Sequence, residues 1–494
     1  MSAALRPDGQ PVAVGGVSIV SPGLRGTVEV LAAGAAGLRS ADSARGVLVD
    51  ALRASGLREQ ETIVIRDHAL EATAAAGGVS RGRTSLGEPG LSVTVPGPGT
   101  GLGQVLLAID EAGLASWVLP DDVPAAESVS RGGSRRTYTV PIDIAKTAPH
   151  TGQRGLIAVV GKKVLKVLAF KLLAEVSAEL ASRFAAHWEE QRHPHRLRPF
   201  GPDDYRSPDA PSLTAAGLAA FGGGPVLLFI HGEMNLSHTG FGQLPRDLLG
   251  RLRERYQGRV LAFDHPTVSV TPTGNATWLA GVVRTTGLTV DVVAHSRGGL
   301  VARVLAEQPE SAGLDRGSLT VRRLIMAGTP NQGTALADAA RLGHLVDRVT
   351  DLLDFVPDTG VVEVLNIVIS VVKQIAVGAY SGLDGVTAMK PAGPWLKALN
   401  SEHPTTTAYH AISSNYEPAE GAPLGRLTRD RVTDLVFKNT GNDLIVPEAG
   451  VHGRNGASAF PIAGPLTLTA GQSVDHFGYW GCPPVQEKLE GWLG

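Results

Sequence analysis

Ser296 stands in the stretch D-V-V-A-H-S-R-G-G-L-V-A-R (291–303), between a β-branched run and the start of a helical pattern. A strand over 288–293, a sharp turn at the serine and a helix from about Gly298 would form a nucleophile elbow, which holds the hydroxyl out of the sheet on a strained backbone. Small residues two before and two after the serine, Ala294 and Gly298, keep such a turn free of clashes. The usual pattern is G-x-S-x-G, and a tight turn accepts alanine in the first place because a methyl is the smallest side chain. A-x-S-x-G alone also fits a buried Ser-Gly turn without chemistry, so its weight depends on whether partner residues stand downstream in the right order.

A serine hydroxyl becomes a nucleophile when an imidazole removes its proton and a carboxylate fixes and stabilises that imidazole. Downstream, T-G-N-D-L-I-V-P carries Asp443 in a polar turn that runs into an apolar segment. S-V-D-H-F-G-Y-W carries His476 in a loop before a terminal helix over 485–493. Acyl transfer also builds charge on an oxygen, which two amide donors must stabilise. One is expected from Arg297, directly after the serine, and the other from Glu233, with Met234 the second choice, after a strand that ends in His231-Gly232. A Glu233 carboxylate would oppose that charge unless it points away or is protonated. Asp475 reads as a loop residue, Asp264 as a weaker substitute for Asp443, and His295 and His265 as structural groups, His265 also being able to line the site.

The elements that would position these residues alternate after Pro225. V-L-L-F-I-H-G, V-L-A-F-D, L-T-V-D-V-V-A and V-R-R-L-I-M-A-G-T-P read as strands, and 246–256, 275–285 and 300–307 as helices. The class is α/β with a mainly parallel, doubly wound sheet, whose sites fall at the C-terminal strand ends.

Taken together, F-I-H-G, F-D-H-P, D-V-V-A-H-S-R-G-G-L-V-A-R, A-G-T-P-N-Q-G-T, N-D-L-I-V-P and D-H-F-G-Y resemble α/β-hydrolases of the bacterial lipase and esterase type, over about 225–494. The resemblance implies the α/β-hydrolase fold and a mostly helical lid over 336–398, whose segments are apolar enough to line an acyl pocket. It implies a Ser296, His476, Asp443 triad cleaving carboxylic esters, lipid acyl esters included, through an acyl-enzyme without metal or organic cofactor. Thioesterase, amidase and acyltransferase chemistry share the same intermediate. The competing class is a non-catalytic interaction or regulatory protein on a hydrolase scaffold, with a protein partner for its N-terminal region.

The first 200 residues match no family in this way. Residues 1–150 alternate short apolar runs such as V-S-I-V, T-I-V-I-R and L-S-V-T-V with Gly and Pro, and helical spacing is expected at 43–55 and 103–111. A smaller α/β or mainly β domain is expected there. The glycine-rich 96–104 lacks the G-K-[ST] of a phosphate loop and reads as a turn. Over 156–191 apolar residues recur at three and four (Val164, Leu168, Leu172, Leu173, Val176, Leu180, Phe184), which predicts a long amphipathic helix. A Pro-rich linker over 192–211 comes next, with His187, His193 and His195 solvated. The expected organisation is thus 1–150, 151–211 and 212–494, at a length of 494 residues that exceeds one core.

A net charge of −2 gives no reason to expect a nucleic-acid partner. Cys482 is the single cysteine, so no intrachain disulfide can form, and the N-terminus lacks a basic and apolar leader. Cytoplasmic residence is expected. The apolar stretches 155–176 and 361–378 are interrupted by charges and are no membrane spans, leaving transient membrane contact through the lid.

Overall fold

The computed structural model describes residues 1–32, 52, 55–70, 90–109, 115–121, 135–141, 163–171, 189, 193–219, 223–315, 317–338, 341–351, 361–376, 383–401, 405–419, 430, 434, 436–454, 461–462 and 464–494. The chain divides into two compact units, one of residues 1–181, 369–380 and 420–432, the other of 182–368, 381–419 and 433–494.

In the first unit ten strands are described: β1 (Ser2–Ala4), β2 (Val12–Val14), β3 (Val17–Val20), β4 (Leu24–Ala32), β5 (Arg58–Leu70), β6 (Gly90–Pro96), β7 (Leu102–Ile109), β8 (Ala115–Val118), β9 (Arg135–Pro141) and β10 (Lys163–Lys171). They form two antiparallel sheets, ordered β1-β4-β5-β10-β7-β8 and β2-β3-β6-β9. Ile19, Ile63, Val93, Leu106, Tyr138 and Leu165 belong to a core built from strands of both sheets.

Two sequence expectations fail here for one reason. The spacing at 103–111 predicts a helix, and 103–109 lie in β7; the helix expected over 156–191 is a strand at Lys163–Lys171. Both strands are interior to their sheet, β10 pairing with β5 and β7, and β7 with β10 and β8. A strand covered on both faces loses its alternation, and its unbroken apolar run then contains three- and four-residue spacings as well. Lys166 completes the imitation: it is buried, and its ammonium is neutralised by Glu59 at 2.6 Å. Of the helices expected over 156–191 and 43–55, residues 156–162, 172–188, 190–191, 43–51 and 53–54 lie outside the described residues, and Leu52 and Glu189 are helical.

The second unit holds a seven-stranded sheet of β11 (Arg196–Pro199), β12 (Val226–Ile230), β13 (Val260–Asp264), β14 (Leu288–His295), β15 (Leu319–Ala327), β16 (Ala408–Ser414) and β17 (Leu466–Leu468). Its order is β11-β13-β12-β14-β15-β16-β17. Strands β12 to β17 run parallel, and β11 lies antiparallel on β13 at the edge. V-L-L-F-I and V-L-A-F-D are buried at every position, as strands covered on both faces must be. From β12 the chain adds β13 on one side and β14 on the other, so the sheet reverses its direction of growth between β12 and β14. A crevice opens at such a reversal, beyond the carboxyl ends of the strands.

The expected linker over 192–211 therefore contains the edge strand β11. Its polar, Pro-rich composition is reconciled with order by arginines: Arg198 donates to the carbonyls of Ser207 (2.7 Å) and Asp204 (2.5 Å), and Arg196 pairs with Asp264 at 2.6 Å. The histidines expected in solvent are packed. His193 is buried, and His195 stacks on Trp278 at 5.0 Å while its Nε2 donates to Asn275; His187 lies outside the described residues.

Helices cover Arg246–Arg255, Pro272–Val283, Gly298–Glu307 and Pro483–Leu493. Between β15 and β16, at the position of the expected lid, the described helices are Leu342–Asp351, Val361–Ala376, Asp384–Thr387 and Pro394–Leu399. No helix among the described residues is long and apolar enough to cross a membrane.

Candidate active site

Strand β14 ends at His295, and the next residue, Ser296, has φ +52°, a left-handed conformation that a non-glycine residue adopts only under surrounding constraint. The constraint is visible on both sides. The Ser296 amide donates to the Ala327 carbonyl at 2.8 Å, which ties the turn to the end of β15. The helix Gly298–Glu307 starts two residues later, against the end of β12. A Cβ at residue 298 would overlap the Ile230 and His231 carbonyl oxygens, so only glycine fits there. Further along the helix, buried Arg303 donates to both oxygens of Glu307 (2.8 and 3.0 Å) and to Asn331 and Asn400, which anchors the helix from within.

Gly232, at the end of β12, faces the same turn. An added Cβ would lie 2.7 Å from the Ser296 Cβ and 3.0 Å from His295 Nδ1, so the H-G dipeptide lets the β12 loop pass directly beside the serine. Of the two amides considered there, that of Met234 is occupied, donating to Thr267 Oγ1 at 3.1 Å. Among the described residues, nothing accepts from the Glu233 or Arg297 amide.

Gly328, at the end of β15, lies against Asp443 and His476: a Cβ there would be 3.0 Å from Asp443 Oδ2 and 3.1 Å from His476 Cε1. His476 Nδ1 donates to Asp443 Oδ2 at 2.8 Å. Asp443 Oδ1 accepts from the amides of Ile445 (3.1 Å) and Val446 (2.7 Å), and the His476 amide donates back to the Asp443 carbonyl at 3.0 Å. Burial pushes the Asp443 carboxyl up, but the attraction and hydrogen bond of His476, with those of Tyr479 and Val446, outweigh it and hold the group below the usual carboxylate range. Ser296, Asp443 and His476 are all buried.

The other carboxylates are engaged elsewhere. Asp475 Oδ1 caps its own turn, accepting from Phe477 and Gly478, both at 3.0 Å. Asp264 receives Arg196 and the Ser237 amide. His265 stacks on His231 at 4.2 Å, and burial drives both imidazoles down, so they are neutral. His295, read as structural from the sequence, donates from Nε2 to the His476 carbonyl at 2.8 Å and thereby supports the histidine loop.

Sequence reasoning missed two groups. One is Tyr479, whose hydroxyl donates to Asp443 Oδ2 at 2.7 Å; its signal in the sequence is an aromatic alcohol three residues after His476. The other is Glu189, whose carboxylate accepts from the amides of Thr267 (2.8 Å), Val268 (2.9 Å) and Ser269 (2.7 Å). Beside it, Arg297 donates to the carbonyls of Val270 and Gly385 and lies 3.3 Å from Glu233 Oε2. Burial, helped by Glu189 and only partly opposed by Arg297, pushes the Glu233 carboxyl up to about 8. That group is therefore protonated at neutral pH.

The chain belongs to the family described as Domain of unknown function (DUF7379), which it matches over residues 192–494. No curated protein matches it. Among solved structures, it is similar to the mature form of the lipase BlEst2 from Bacillus licheniformis (21% identity, 55% of this chain and 91% of that one, TM-score 0.36). It is also similar to lipase 1 from Pelosinus fermentans (13%, 54% and 97%, TM-score 0.39). The phospholipase PlaB from Legionella pneumophila is matched over less than half of its length (16%, 46% and 45%, TM-score 0.30).

Proposed function

We propose that the chain is a serine hydrolase of the α/β-hydrolase fold, with a doubly wound sheet, that cleaves carboxylic esters through an acyl-Ser296 intermediate. The observation that carries the reading is the strained Ser296 at the end of β14, at φ +52°, with the buried His476–Asp443 pair at 2.8 Å beyond the adjacent strand. A strained serine at the reversal point of a parallel sheet is the arrangement that exposes a hydroxyl to a bound acyl group.

In this mechanism His476 Nε2 takes the proton as Ser296 Oγ attacks the ester carbonyl, and later gives it to the leaving alkoxide. Asp443, ionised and bonded to Nδ1, keeps that proton on Nδ1 and stabilises the imidazolium. The amides of Glu233 and Arg297 receive the oxyanion, which suits two donors for which the described residues offer no acceptor. A protonated Glu233 side chain places no negative charge beside that oxygen. Water then attacks the acyl-enzyme by the reverse path, and the cycle calls on no metal or organic group.

An acyl ester with an apolar chain, lipids included, suits the part of the insertion between β15 and β16 that belongs to the second unit, where Val364, Leu365, Ile367 and Val368 are buried apolar residues. We take this insertion as the lid. The test is labelling with a fluorophosphonate, together with turnover of p-nitrophenyl esters from acetate to palmitate. Wild type is expected to label and turn over, and Ser296→Ala to do neither. Equal labelling of the two chains sinks the nucleophile assignment, and a folded wild type inert to every ester favours the non-catalytic alternative.

A further inference from the structure

Asp443 accepts four hydrogen bonds, two on each oxygen, which fills the roughly four acceptor positions of a carboxylate. The pair on Oδ1 comes from backbone of its own turn. The pair on Oδ2 comes from His476 Nδ1 at 2.8 Å and from the Tyr479 hydroxyl at 2.7 Å, so the histidine and the tyrosine share one oxygen. Tyr479 is fully buried, in the core with Phe241, Trp480 and Val485. Burial and the Asp443 charge drive its phenol well above its usual value, so it stays a donor.

We propose that Tyr479 is a positioning residue for ester cleavage: by donating to Asp443 Oδ2 it fixes the oxygen that faces His476 and draws charge from it, which sets how readily His476 holds a proton. The inference rests on the triad assignment of Ser296, His476 and Asp443. It adds a residue that touches neither substrate nor the reacting atoms and acts through the carboxylate alone. A free Oδ2 would concentrate its charge on the single bond to His476 and favour the imidazolium, which cannot act as base. The tyrosine holds the carboxylate between two needs, being negative enough to orient the imidazole and not so negative that it keeps the imidazole charged.

The groups around His476 are few. From its own loop come Asp475 and Tyr479; from the elbow comes His295, whose ring lies 4.9 Å away and is held neutral by burial; from the preceding turn comes Asp443. Glu448 acts on Tyr479 from the helix Glu448–His452. Asp475, His295, Asp443 and Glu448 are retained when the tyrosine hydroxyl alone is removed, so a difference between the two chains reports that hydroxyl.

The experiment uses the full chain with 15N-labelled histidine, taking the His476 ring signals as those absent from His476→Gln. In Tyr479→Phe the ring is expected to titrate about 0.5 to 1 pH unit higher, roughly a three- to tenfold change in proton affinity. The acid limb of kcat/KM on a p-nitrophenyl ester should move by the same amount. Placing 3,5-difluorotyrosine at residue 479, a stronger donor of nearly the same shape, should move both the other way, which keeps the test intact where the phenylalanine chain folds poorly. Identical His476 titration in all folded chains overturns the proposal. Titrations that move in a chain unable to cleave any ester support the coupling and overturn the hydrolase reading instead.

Discussion

Glu233→Gln isolates one buried proton. The Glu233 side chain is 6% exposed, and burial outweighs the attraction of Arg297, 3.3 Å from Oε2, so that its ionisation is pushed from 4.5 to about 8. Between those values the folded chain keeps the proton and the unfolded chain has lost it. The unfolding free energy must therefore fall as pH rises through this window, the sign expected wherever the native state binds more protons. At 1.36 kcal/mol per pH unit the window from 4.5 to about 8 amounts to on the order of 5 kcal/mol. Glutamine keeps the shape and the residue 233 amide but has nothing to titrate. Urea unfolding of both chains at pH 5 and pH 8.5 measures the difference, followed by tryptophan fluorescence, five of the six tryptophans lying in the second unit. The variant should gain about 3 to 5 kcal/mol on wild type between the two. Ester turnover gives a second reading, since wild type should lose activity above pH 8 as charge appears beside the oxyanion and the variant should not. A stability difference that stays within about 0.5 kcal/mol across that range refutes the reasoning.

Asp443→Asn leaves the geometry nearly intact but offers His476 the wrong partner, so kcat should fall by roughly 10⁴-fold, the effect of the same change in serine proteases; a loss below tenfold would remove Asp443 from the triad. Gly298→Ala forces a methyl against the Ile230 and His231 carbonyls, which the buried β12 cannot move aside. A loss of about 1 to 3 kcal/mol is expected from such overpacking, and an unchanged thermal midpoint would show that the elbow helix is free to shift.

The strands β12 to β15 were legible because covered parallel strands are written as unbroken apolar runs, with turns between them. The same property disguises β7 and β10, where an interior antiparallel strand with a neutralised lysine carries the spacing of a helix. The serine, aspartate and histidine stood out by residue type and order, 33 residues separating the acid from its histidine. Tyr479 did not, because an aromatic beside Trp480 reads as packing until its hydroxyl is placed. Glu189 could not be read at all: its partners lie 78 to 80 residues away, and carboxylate binding to three consecutive amides leaves no pattern in the carboxylate's own neighbourhood.

Glu189 also bears on where the folding unit starts. The family match opens at residue 192, yet the turn at 267–269, on which Gly385 closes through its bond to the Val268 carbonyl, is held by a carboxylate three residues upstream of that boundary. A chain cut at 192 would carry every residue of the site and still leave the three amides at 267–269 without their carboxylate acceptor and the Arg297 guanidinium with one nearby carboxylate fewer. The border drawn by sequence similarity and the border drawn by charge balance differ by a few residues, and it is the second that decides whether a shortened protein can be studied.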